Sequence, residues 1–221
     1  IGSTTTDIIC IHHGEVRTQG VDDFTRLKYH ELVYTGLVRT PIAALVGSLP
    51  YAGDKIPVVA ETFATVADAH RILGNMPAHA DLYPTADGEA KSVVASARRL
   101  FRMIGRDYEG EIDQARLMAA HVQECQLQSI NRVIEERLRE MYGNMPDTVV
   151  VGMGCGAGLV ELLAQRNRLN YRAFDSFIET SEEFAKQSDD SISPSVCGPA
   201  IAVAFEYARR LKPEEAGFCV N

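Results

Sequence analysis

The first twenty residues read as strand. Asp7-Ile-Ile-Cys-Ile-His-His13 is rich in β-branched residues, Gly14 breaks it, and Glu15-Val-Arg-Thr-Gln-Gly20 forms a second short run, a pattern that predicts a β-hairpin. Residues 22–47 mix charge with short apolar runs, and within them Gly36 and Pro41 predict a defined turn over 34–41. Residues 50–57 read as a connection. Helical spacing then runs over 61–73 and stops at Gly74-Asn75-Met76-Pro77, a glycine followed by a proline. Residues 81–88 carry loop residues, and 91–104 predict a helix closed by Gly105, with Arg98, Arg99 and Arg102 near one face.

The longest regular pattern lies between 113 and 142. Leu117, Val122, Cys125, Ile130, Val133, Ile134, Leu138 and Met141 recur at helical intervals, Glu135 is placed to pair with Arg139, and Gly143 closes the run. A buried strand over 148–151, a glycine-rich turn over 152–158, a helix over 159–166 and a strand over 171–174 follow. A last helix is expected over 195–211. The class this order implies is α/β.

Composition narrows what such a chain does. It has 221 residues, 46% of them hydrophobic, and carries 22 Lys+Arg against 30 Asp+Glu for a net charge of −8. That balance predicts no nucleic-acid partner and no anionic-membrane partner, so an anionic ligand must be held by local geometry. Uncharged stretches such as 148–160 fall short of the roughly 18 to 20 apolar residues of a membrane helix. The five cysteines are spread out and never form C-x-x-C, which predicts reduced thiols and a cytoplasmic protein. The chain opens on Ile1 with neither an initiator Met nor signal-peptide character.

Two constellations carry chemistry. Gly2-Ser3-Thr4-Thr5-Thr6-Asp7 offers amides and hydroxyls to phosphate oxygens and a carboxylate to a metal ion; the same string also suits a Thr-rich β-turn. In Val149-Val150-Val151-Gly152-Met153-Gly154-Cys155-Gly156-Ala157-Gly158, Gly152, Gly154 and Ala157 satisfy G-x-G-x-x-A, and Asp175 follows the next strand where a ribose-binding acid would sit. A dinucleotide or S-adenosylmethionine site and a ligand-free strand-to-helix turn both fit that pattern. Tyr34, Thr35, Arg39 and Thr40 would form an anion or substrate loop, Arg39 being able to fork onto an oxyanion. The Arg98, Arg99 and Arg102 cluster reads as a solvated face, with Lys91 and Asp87 better placed for a ligand. His12 and His13, adjacent on a strand, would point to opposite faces, and no histidine has metal-ligand spacing.

Taken together, Ile1 to Ile9, Glu31-Leu-Val-Tyr-Thr-Gly-Leu-Val-Arg-Thr-Pro41, Pro84-Thr-Ala-Asp-Gly88 with Lys91-Ser92, and the glycine turn resemble the hydantoinase/oxoprolinase-like proteins of the tetrahydromethanopterin-linked one-carbon pathway, on their methanofuran-synthase side. The resemblance implies an RNase-H-like lobe of the actin/Hsp70/sugar-kinase type, with a mixed sheet, a β-hairpin phosphate loop and flanking helices. It implies that residues 1–221 are the C-terminal portion of a two-lobed protein, with a mostly helical insertion around 61–143 and an N-terminal lobe that is absent here. The implied reaction is transfer: a γ-glutamyltyramine phenol displaces diphosphate from an aminomethylfuran diphosphate and forms an aryl-alkyl ether. Gly2, Ser3, Thr4, Thr5 and Thr6 would bind phosphate, and Asp7 would hold Mg²⁺. Arg39 and Lys91 would supply positive charge, while Tyr34, Thr35, Gly36, Gly152, Gly154, Gly156 and Gly158 would contact substrate or nucleotide. Homo-oligomer formation is left open. The rivals are an ATP-dependent hydantoinase/oxoprolinase-like hydrolase or small-molecule kinase, the only readings that need ATP; a Rossmann-type methyltransferase or dehydrogenase; and a noncatalytic nucleotide-binding half.

Overall fold

The structure is a computed structural model that describes residues 1–142, 148–179 and 193–210. Gly143, Leu211 and Cys219 lie outside these. The chain is α/β. Its strands form two-stranded sheets: β1 (Thr6–Asp7) pairs antiparallel with β4 (Leu32–Val33), β2 (Ile11–His12) with β3 (Glu15–Val16), and β5 (Ser48–Tyr51) with β6 (Asp54–Pro57). β7 (Val149–Gly152) pairs parallel with β8 (Asn170–Ala173), and the helix α6 (Ala157–Arg166) connects them. No continuous mixed sheet joins these pairs among the described residues.

The expected hairpin is present but shorter than the sequence pattern. It turns at His13 and Gly14, both with positive φ, so His13 leaves the strand and its ring comes within 4.0 Å of the His12 ring instead of facing away. Thr6–Asp7 pairs with a segment some 25 residues downstream, because α1 (Asp23–Lys28), capped by Asp22 on Thr25 N, returns the chain beside it. The expected connection over 50–57 is a second hairpin. Ala52 and Gly53 both take positive φ, 50° and 91°, which is the twist a two-residue hairpin turn requires.

Helices build the core. α2 (Ile42–Leu45) follows Pro41; α3 (Val66–Leu73) is capped at its end by left-handed Gly74; α4 (Val93–Arg102) starts at Ser92, whose hydroxyl accepts from Ala95 N. α3 begins five residues later than expected, because Asp68 reaches back to accept from Thr65 N and sets the start there. The spine is α5 (Ile112–Tyr142). Its first half packs Met118, Ala119 and Val122 against Ile42, Leu49, Val66, Leu100 and Phe101. Its second half, through Leu127 and Ile130, packs on Leu37, Val38, Ala67 and, from α6, Leu159 and Leu163. Glu135 accepts from Asn131 rather than engaging Arg139 as expected.

The expectation of a buried strand at 148–151 is corrected: Val149 and Val151 are nearly half exposed, and only Gly152 is buried. A closing helix, α7 (Gly198–Arg210), follows a turn that includes Ser195, and Val203, Phe205 and Tyr207 stand exposed on it. Among the described residues, no helix is long and apolar enough to cross a membrane. Cys10, Cys125, Cys155 and Cys197 are free thiols.

Candidate functional site

The two constellations, about 150 residues apart in sequence, meet in space. Ile1 N donates to Met153 O at 2.7 Å, and Gly156 N donates to Ile1 O at 2.9 Å. A Cβ on Gly154 would lie 2.4 Å from Ile1 O, and one on Gly156 would lie 2.5 Å from Ile1 Cγ2, so only glycine permits this approach. Gly154 N in turn donates to Ser195 O at 2.7 Å. The amides of Gly154 and Gly156 are thus taken by the protein's own carbonyls.

The turn over 34–41 clamps the other side of the same loop. Leu37 N donates to Gly2 O, and Val38 N and Arg39 N both donate to Ser3 O, at 2.9 to 3.0 Å. Gly36 sits directly against this segment, where a Cβ would stand 2.6 Å from both Gly2 O and Thr4 N. A trans peptide is planar, with its C=O and N–H pointing oppositely. Fixing the carbonyls of Gly2 and Ser3 on the turn therefore points the N–H groups of Ser3 and Thr4 away from it, and neither finds an acceptor among the described residues. Beside them lie the Ser3 and Thr4 hydroxyls, 3.4 Å apart. Consecutive outward amides with adjoining hydroxyls make a cradle of the shape that suits an oxyanion.

Thr6 is an anchor of this loop. Its hydroxyl is buried and donates to Thr35 O at 2.7 Å. Thr35 and Thr40 are likewise buried, with their hydroxyls 2.9 Å apart, and Thr40 Oγ1 accepts from Gly36 N. The turn is held from behind by Gln126 of α5, whose Nε2 donates to Thr35 Oγ1 at 3.0 Å and to Gly36 O at 2.7 Å. Because Gly36 O can only accept, the amide orientation is fixed and Gln126 Oε1 must accept from His70 Nε2, 2.8 Å away. His70 is fully buried; burial lowers its pKa below the ordinary imidazole range, and the Gln126 bond opposes this only in part.

Neither Gln126 nor His70 was singled out from the sequence. The signal was there: Gln126 occupies the i+4 position between Val122 and Ile130 on the buried face of α5, and His70 follows Val66 by four on α3.

Asp7, expected to hold Mg²⁺, points out of β1 and accepts from Arg26 Nη1 at 2.6 Å. A lone carboxylate already neutralised by an arginine is a poor cation ligand. Among the described residues no group of three or more His, Cys, Asp or Glu gathers for a metal ion.

Arg39 adjoins this loop, and Lys91 is engaged elsewhere. Arg39 is exposed, reaches Thr4 Oγ1 at 3.5 Å and lies over the Tyr83 ring, 4.3 Å from its centroid. Lys91 donates to Asp81 O at 2.6 Å. Beside Arg39 is a cleft of about 140 Å³ lined by Arg39, Tyr83, Asp68, Arg71, Asp81 and Thr85 among others. Behind its wall Arg99 is buried, not on a solvated face as expected: it donates to Asp68 and Asp87, and Arg71 bonds Asp68, Ser96 and Asp81. Burial works against the Arg99 charge, and the two carboxylates outweigh it. Arg98 and Arg102 are exposed. Tyr34 is exposed beside the turn, and Gly158 lies in the open first turn of α6.

Asp175 is committed elsewhere. It accepts from Ser195 N and from the Ser195 hydroxyl, and these bonds, opposing burial, keep its carboxyl below the usual range. With Asp175 and the Gly154 and Gly156 amides all engaged, the geometry does not favour a dinucleotide at this turn.

A family model described as hydantoinase/oxoprolinase matches residues 1–176. A protein of Methanocaldococcus jannaschii named (4-{4-[2-(gamma-L-glutamylamino)ethyl]phenoxymethyl}furan-2-yl)methanamine synthase is 32% identical over 154 residues, covering 70% of this chain and 46% of that protein. A protein of the same name from Methanococcus vannielii is 27% identical over 155 residues, covering 70% of this chain and 68% of that one. The chain thus spans about half the length of the first of these relatives.

Proposed function

The chain belongs to the hydantoinase/oxoprolinase family, and on that premise we propose that it is part of a biosynthetic transferase that forms an aryl-alkyl ether on the way to a methanofuran-type cofactor. The donor is an aminomethylfuran diphosphate and the acceptor the phenol of γ-glutamyltyramine. The name carried by both relatives contains the phenoxymethyl-furan ether, which supports the phenol and the furanylmethyl group of this pairing. We further take the chain as one RNase-H-like lobe of a two-lobed protein, the helices over 61–143 being an insertion; its coverage of under half of one relative is in keeping with that.

The observation that carries the reading is the cradle at residues 2–5. The outward Ser3 and Thr4 amides and the neighbouring hydroxyls suit a departing diphosphate, whose charge grows as the furanylmethyl C–O bond breaks. The furan ring shares the positive charge left on carbon. The phenolic oxygen then forms the new C–O bond and loses its proton, and the protein's main tasks are to orient the two partners and neutralise the leaving group. Mg²⁺ in this reading accompanies the diphosphate as its counter-ion.

The test uses the full-length protein with both substrates and no ATP. Release of diphosphate together with a product of the ether's mass is expected. No diphosphate release, or release that depends on ATP, refutes it. The family description favours one second reading, an ATP-dependent hydrolase of a cyclic amide; ATP consumption on addition of a hydantoin or 5-oxoproline would establish that instead.

A further inference from the structure

We propose that the cleft lined by Arg39 and Tyr83 is the subsite for the acceptor's α-amino-acid head group, with Arg39 taking its carboxylate. This deepens the transferase reading and rests on it for the identity of the acceptor.

The charges around the cleft are sorted. Asp68, Asp81 and Asp87 are each in contact with at least one of Arg71, Lys91 and Arg99. Arg39 is a lining cation with no carboxylate partner among the described residues, and its neighbours are a ring and a hydroxyl. A guanidinium lying over an aromatic ring has N–H donors left for a planar acceptor, and a carboxylate is the smallest ligand of that shape.

Asp68 and Asp81 also border the cleft, but each is already paired, Asp68 with Arg71 and Arg99 and Asp81 with Arg71 and Lys91, so among the described lining residues Arg39 is the charge open to a ligand. A γ-linked glutamyl group keeps its α-carboxylate free for it. The volume of about 140 Å³ has room for a head group of that size. The contact of Arg39 with Thr4 Oγ1 places this cleft next to the cradle.

The experiment is calorimetric titration of the full-length protein with γ-glutamyltyramine, tyramine and inorganic diphosphate, for wild type, R39Q, R39K and Y83A. A hydrogen-bonded charge pair of about 1.5–3 kcal/mol corresponds to roughly 10- to 100-fold in affinity. Wild type is expected to prefer γ-glutamyltyramine over tyramine by at least about tenfold. R39Q should erase most of that preference, R39K should keep part of it, and diphosphate affinity should fall by clearly less than the head-group preference does. Both side chains are exposed, and an unchanged melting temperature verifies the fold.

The proposal is overturned if wild type shows no preference or binds neither amine, if R39Q retains the preference, or if R39Q weakens diphosphate as much as the head group. Binding needs no turnover. An Arg39-dependent head-group preference without ether formation removes the transferase reading and leaves the subsite standing.

Discussion

Gly36→Ala isolates the clamp on the cradle. Gly36 is not among the residues with positive φ, so alanine adds no backbone strain and the effect is steric. The added methyl would stand 2.6 Å from Gly2 O, 2.6 Å from Thr4 N and 2.7 Å from Ser3 C, all backbone atoms and each about 1 Å inside an ordinary contact. Backbone cannot rotate aside as a side chain can, so the loop or the turn must shift by a comparable distance. Overpacking of this kind costs about 1–3 kcal/mol. The shift also stretches the three amide bonds from Leu37, Val38 and Arg39, each contributing about 0.5–1.5 kcal/mol. The expected loss is about 2–4 kcal/mol in urea unfolding. Activity should fall by about 100-fold under conditions where the variant stays folded, since a misplacement near 1 Å is enough for that. Gly158→Ala is the control, because a Cβ there meets nothing within 4 Å and lies in α6; it should be neutral or stabilising by up to about 1 kcal/mol. A Gly36→Ala protein with the wild-type unfolding midpoint and activity within about twofold refutes the clamp.

Three further outcomes test the support behind the cradle. His70 is kept neutral by burial, so the unfolded chain binds its proton more readily. Its stabilising contribution is complete above the ordinary imidazole pKa of about 6.5 and is lost as pH falls below it; His70→Gln should flatten that part of the stability-against-pH curve, and an unchanged slope would count against it. Gln126→Leu strands Gly36 O and the His70 Nε2–H in the core and should cost about 2–5 kcal/mol by thermal unfolding. Asp68→Asn removes a charge partner of buried Arg99 and should cost about 3–5 kcal/mol, whereas Asp107→Asn, at an exposed pair with Arg102, should change stability by under about 1 kcal/mol; equal effects would refute the distinction.

Much of this was legible where local chemistry decides. The long helix over 113–142 showed in its apolar spacing because one face of it meets two successive parts of the core. The glycine turn and the hydroxyl string were visible as unusual composition. Their meeting was not, since it depends on Gly154 and Gly156 admitting Ile1, a contact between segments that no local pattern links. Arg99 illustrates the opposite failure. Three arginines over five residues resemble a solvated face, yet Arg99 turns inward because Asp68, 31 residues earlier, is buried at the start of α3 and needs a cation. The connection over 50–57 was a hairpin because Ala52 takes a conformation its side chain does not advertise.

The net charge of −8 gains a different meaning from the site. In a globally acidic protein a diphosphate is held by local contacts, and backbone dipoles at short range, beside any counter-ion, are contacts that salt and distant charge affect least. The loop over 2–5 would supply them through its fixed carbonyls. The amides of Leu37, Val38 and Arg39 bind the carbonyl face of the loop, and peptide planarity delivers the N–H face to the ligand. The nearest free guanidinium, Arg39, is then available to a second, singly charged group. A cradle built from lysines would bind phosphate as well but could not leave the neighbouring cleft to a carboxylate, because the same cations would draw both ligands to one place.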